Sequence, residues 1–66
     1  MSLAKVIEVT GQSEESFEAA VKEAVAQVAK EIQTIKCVDV VKWTADVENG
    51  KLVHYRADCK ILYLEE

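Results

Sequence analysis

The side chains able to take part in chemistry gather in the second half of this sequence. Cys37, Trp43, His54 and Arg56 lie there with the carboxylates Asp39, Asp46, Glu48 and Asp58 and the cation Lys60. A thiol acts as a nucleophile or redox centre only when its pKa is lowered and a base stands in place. The single histidine, His54, falls far along the chain from Cys37, so no Cys–His pair is expected within one chain and no enzymatic activity is expected. His54 with Asp46, Asp58 or Glu48 lacks the regular ligand spacing of a metal site, and it reads as a surface histidine. What remains is recognition. Arg56 offers guanidinium donors to carbonyls or a phosphate, and Cys37 is a small side chain suited to line a pocket.

These residues must be positioned by the stretch Lys36 to Leu64, which contains two strand-like runs joined by Glu48-Asn49-Gly50-Lys51. Asn-Gly between β-rich flanks is a strong hairpin signal, because both central residues of a type I′ turn need positive φ. The turn predicts a register in which Glu48 faces Lys51, Trp43 faces Arg56, Asp39 faces Lys60 and Cys37 lies beside Leu62. Alternation then predicts two surfaces. Val38, Val40, Val53, Tyr55, Ala57, Cys59, Ile61 and Tyr63 form a core face. Cys37, Asp39, Val41, Trp43, Ala45, Val47, Leu52, His54, Arg56, Asp58, Lys60 and Leu62 form a mixed face, too apolar for water alone and suited to a partner. Trp43 lies six residues beyond Cys37, about 20 Å at strand rise, and is read as structural, packed under Arg56 or at a subunit contact.

Upstream, Lys5 to Thr10 alternates as a first strand, which Gly11 is expected to end, and Ser13 is the expected cap of a helix running from Glu14 to about Thr34. Its stripe of Phe17, Ala20, Val21, Ala24, Val28 and Ile32 is mostly small, so the helix can settle close against a sheet. Glu18 and Lys22 are spaced for a supporting ion pair. The order strand, helix, strand, strand predicts an α+β fold. It is a single domain over residues 1–66, with a three-stranded antiparallel sheet, its last strand central, curled over one amphipathic helix.

A chain of 66 residues buries only about 60% of its unfolded surface. Cys37 and Cys59 fall on opposite hairpin faces and cannot bridge within one chain, so homo-oligomerisation through the mixed face is the expected supplement. Eight basic against twelve acidic residues give a net charge of −4, which disfavours nucleic acid and anionic membrane as partners. With no spanning run, no secretory signal pattern and free thiols, a cytoplasmic location is expected.

Several pieces, in order and with their spacing kept, carry a family likeness. They are Lys5-Val6-Ile7-Glu8-Val9-Thr10-Gly11, Ser13-Glu14-Glu15-Ser16-Phe17-Glu18-Ala19-Ala20, Val38-Asp39-Val40-Val41, Glu48-Asn49-Gly50-Lys51 and His54-Tyr55-Arg56. Over nearly its full length the chain resembles the dodecins, small β-α-β-β proteins that assemble as hollow dodecamers and in many members bind flavins. The resemblance implies a site between protomers, where a tryptophan of the second strand stacks on the isoalloxazine ring and a glutamine of the third strand bonds its polar edge. Here those positions hold Cys37 and Arg56. Stacking on an aromatic plane contributes about 1–3 kcal/mol, and cysteine supplies no plane. The resemblance therefore implies a non-enzymatic binding or storage protein for a flavin (FMN or riboflavin) or another flat or phosphate-bearing ligand. The alternative it leaves is a structural oligomer of the same type that has lost flavin binding.

Overall fold

In the computed structural model, which describes residues 3–65, the order is β1 (Leu3–Ser13), α1 (Phe17–Ala29), β2 (Ile35–Glu48) and β3 (Lys51–Glu65). The sheet order is β1-β3-β2, with both neighbours antiparallel to the central β3. This is the α+β, β-α-β-β architecture expected from the sequence. No helix among the described residues is long and apolar enough to cross a membrane.

The hairpin tip forms as its residues require. Asn49 and Gly50 take φ of 54° and 75°, and Glu48 pairs with Lys51. One face of the sheet is closed by the small-residue stripe of α1. Ala20, Ala24 and Val28 are buried against Ala57, Cys59 and Ile61, with Ile7, Val9, Val38 and Val40 around them. The Glu18–Lys22 ion pair closes at 3.3 Å on the solvent side of the helix.

The structure corrects three local expectations. First, Gly11 does not end β1. It pairs with Ala57 inside the strand, and a Cβ there would collide with the Ala20 carbonyl oxygen and lie 2.9 Å from both Cβ and N of Ala24. Its smallness is set by the helix lying on it. Second, pairing of β1 continues to Ser13 opposite Tyr55, so the helix starts later. The cap is Ser16, whose hydroxyl accepts from the Ala19 N–H at 3.0 Å, while Ser13 accepts from the Glu15 N–H at 3.0 Å. Third, α1 closes at Lys30, well before Thr34, with the Glu31 and Ile32 N–H groups both turning back to the Val28 carbonyl. Thr34 has a different task. Its carbonyl accepts from the Leu64 N–H at 3.1 Å and its hydroxyl donates to the Leu64 carbonyl, pinning the start of β2 onto β3.

A fourth correction concerns register. Val40 pairs with Cys59 and Lys42 with Asp58, leaving Val41 as an extra residue in β2. Thr44 pairs with Arg56 and Asp46 with Val53, so β3 carries an extra residue at His54, whose φ is 52°. These two bulges restore the pairing on either side of Lys42–Thr44, but the extra residue at Val41 reverses the faces of β2 from Lys42 onward, so that Asp46 joins the face of Arg56; a further shift lies between Ile35 and Cys37. Trp43 consequently lies beside Ala57, not Arg56, and packs on the helix side against Phe17.

Candidate functional site

Across the three strands, the register arranges the face turned away from the helix into rows. Val6, Leu62 and Cys37 form an apolar row, followed by Glu8, Lys60 and Asp39, then Thr10, Asp58 and Lys42, then Gln12, Arg56 and Thr44. The expected site residues therefore share a face but stand three rows apart, about 20 Å at strand rise. One chain does not bring them together, so a ligand touching both must lie between chains.

Cys37 is exposed and its row is open, Val6 being half-exposed beside it. A flat ring could rest on this strip. Cys59 is a core residue by contrast. Its thiol donates to the Ala57 carbonyl at 3.5 Å, and burial pushes its pKa upward. Among the described residues, no three His, Cys, Asp or Glu side chains converge closely enough to hold a metal.

Arg56 is committed within its own chain. Its Nη2 donates to Asp46 Oδ1 at 2.7 Å, its Nη1 to Asp46 Oδ2 at 3.4 Å and its Nε to Thr44 Oγ1 at 3.3 Å. The hydrogen bond from Arg56 holds the Asp46 carboxyl below its usual 3.8, and the guanidinium is in turn held more firmly in its charged form. In the neighbouring row, Thr10 donates to Asp58 Oδ1 at 2.8 Å, leaving a second carboxylate near the arginine.

Two groups outside the expected site emerge from the bulges. His54 Nδ1 lies 2.6 Å from Glu14 Oε2, and its Nε2 lies 3.7 Å from Glu48 Oε2. The hydrogen bond and charge of Glu14 raise the imidazole pKa above 6.5, with Glu48 and Asp46 adding to the effect. Phe17 meets Trp43 at 5.2 Å and Tyr55 at 5.0 Å, both edge-to-face, so the tryptophan's partner is the first helical residue. The sequence does not mark the His54 and Trp43 contacts, because both depend on bulges without glycine or proline. A hollow of about 500 Å³ between β1 and α1, lined by Ile7, Val9, Gln12, Gln27, Val28 and Ile32, includes neither Cys37 nor Arg56 and meets their face only at the β1 residues Thr10 and Gln12.

Comparison with known proteins adds an independent finding. A family model described as Dodecin matches residues 3–66. The dodecin of Streptomyces coelicolor superposes with a TM-score of 0.91 at 23% identity, covering 98% of this chain and 93% of that one. A Thermus thermophilus dodecin variant reaches 0.93 at 23% identity, covering 100% and 98%. A calcium dodecin from Mycobacterium tuberculosis, described as calcium-chelating, reaches 0.83 at 25% identity, covering 97% and 91%. No curated protein sequence matches the chain.

Proposed function

The chain belongs to the dodecin family, and on that premise we propose that it is a non-enzymatic binding and storage protein that holds a flavin between protomers of a cytoplasmic homo-oligomer, a dodecamer on the family pattern. Cys37 and Arg56 are its ligand-facing residues. The observation that carries this reading is the open apolar row of Val6, Leu62 and Cys37, on a sheet face that α1 does not cover. A ring laid there, and covered by a second chain, removes that apolar area from water. The ligand's other end then meets the arginine of one or other chain, since a single chain keeps Cys37 and Arg56 apart.

One observation favours a second reading, a structural oligomer without flavin. Cys37 stands where a stacking ring is needed, and Arg56 already has partners. Titration of riboflavin with purified protein, followed by flavin fluorescence, separates the two. Quenching that saturates at a definite stoichiometry per protomer supports storage. No quenching at protomer concentrations in the hundreds of micromolar leaves the structural role, and the native mass then tests the assembly by itself.

A further inference from the structure

The proposed site has one arginine, and the way it is held bears on what it can accept. Resting on the binding role above, we infer that Asp46 makes the Arg56 end of the site select an uncharged flat ring over a phosphate-bearing ligand. A free guanidinium offers five N–H donors in one plane and pairs with phosphate through two of them. In this chain that edge is used. Asp46 takes Nη1 and Nη2, and Thr44 takes Nε. A phosphate must displace a carboxylate that already has fork geometry, or else approach beside it.

The surrounding charge adds to this. Asp58, in the adjacent row, acts on Arg56 and is fixed by the Thr10 hydroxyl at 2.8 Å. Lys42 lies opposite Asp58 but forms no ion pair with it. Arginine and its two carboxylates sum to one negative charge, and the whole chain carries −4. Coulombic attraction for a dianion is therefore weak at this end of the face.

In-plane bonds leave the flat side of a guanidinium available. The Arg56 side chain is 31% exposed, so it is neither sealed nor free to swing. A planar cation held flat stacks on aromatic rings. Asp46 thus acts as a positioning residue: it removes arginine's phosphate-binding edge and keeps its stacking face, in a site whose usual aromatic plane is replaced by Cys37. Together these features favour a neutral aromatic ligand.

Riboflavin and FMN share a ring and differ by a phosphate, so their affinity ratio reads this selection directly. Fluorescence titration of the assembled wild-type protein is expected to give riboflavin the tighter binding, and Asp46→Asn is expected to shift the ratio toward FMN by about tenfold, the scale of one charge-assisted contact. A loss of structure weakens both ligands together and does not move the ratio. Asp58→Asn, which leaves the fork intact, is expected to move it less. Wild-type protein that binds FMN as tightly as riboflavin overturns the inference, as does a ratio unchanged by Asp46→Asn. If neither flavin binds, the function proposed above fails, and phosphorus line broadening of inorganic phosphate decides this point separately. Broadening only with Asp46→Asn supports the role given to Asp46, whereas broadening with wild type, or with neither protein, overturns it.

Discussion

Replacing Gly11 with alanine tests the closest contact in the fold. Gly11 is buried in β1 opposite Ala57, and a methyl group there would overlap the Ala20 carbonyl oxygen and sit 2.9 Å from Ala24 Cβ and N. Non-bonded carbon atoms rest at about 3.5–4.0 Å, so α1 must withdraw by about 1 Å at Ala24, and further at Ala20. The opposing atoms are backbone or Cβ, and no rotamer change clears them. Overpacking of this kind costs about 1–3 kcal/mol, and the withdrawal also loosens Ala20, Ala24 and Val28 on Ala57, Cys59 and Ile61, which places Gly11→Ala near 3 kcal/mol. For a 66-residue chain whose stability is on the order of 3–10 kcal/mol, that is a large share, and a Tm reduction of about 12 °C or more is expected. Far-UV circular dichroism melts at fixed protomer concentration measure it, because assembly makes Tm depend on concentration. Gly50→Ala is the internal comparison. Gly50 has a φ of 75° with nothing within 4 Å of an added Cβ, so only backbone strain of about 1 kcal/mol is expected. A Gly11→Ala protein that melts with wild type, or above Gly50→Ala, would refute the helix-contact account.

Three further outcomes are expected. Ser16→Ala should cost about 1 kcal/mol in urea denaturation and Ser13→Ala clearly less; equal losses would move the helix cap away from Ser16. His54 has a folded pKa raised by Glu14, then by Glu48 and Asp46, so its contribution to stability is full below 6.5 and is lost as pH rises through the higher folded value; His54→Gln should flatten the fall in stability above pH 6.5, and an imidazole NMR titration at or below 6.5 would remove the Glu14 contact from the account. Cys37→Trp supplies an aromatic plane on the apolar row and should tighten riboflavin binding by about 10- to 100-fold in a quenching titration, with unchanged affinity placing the ligand elsewhere.

The hairpin shows how far local sequence rules reach and where they stop. Asn49-Gly50 places Glu48 against Lys51, and the same count places Asp39 against Lys60 and Cys37 against Leu62, as the structure does. It fails between the bulges at Val41 and His54 and again at the start of β2, where Ile35 rather than Lys36 pairs with Tyr63. Nothing marks Val41 or His54 as an insertion, since the one is a good strand residue and the other reaches its φ of 52° while held by Glu14 from the β1–α1 segment. Gly11 misleads for a related reason. Glycine punctuates strands often enough that ending β1 is the natural reading, whereas its actual cause, the backbone of Ala20 and Ala24, arrives from another element.

The site follows the same division. Residue types and alternation suffice to put Cys37 and Arg56 on one face, because side-chain period is a property of the strand itself. The Asp46–Arg56 fork needs the extra residues, because unbroken alternation sets Arg56 opposite Trp43 and puts Asp46 on the other face, whereas the extra residue at Val41 brings Asp46 to the face of Arg56. The bulges at Val41 and His54 together place Trp43 beside Phe17 and give Arg56 to Thr44 and Asp46. The two insertions thus take the Trp43 ring off the face that carries Cys37 and pair the only arginine there with a carboxylate. Both changes bear on the same face, and the charge that the sequence appoints to meet a phosphate is the charge the fold takes away.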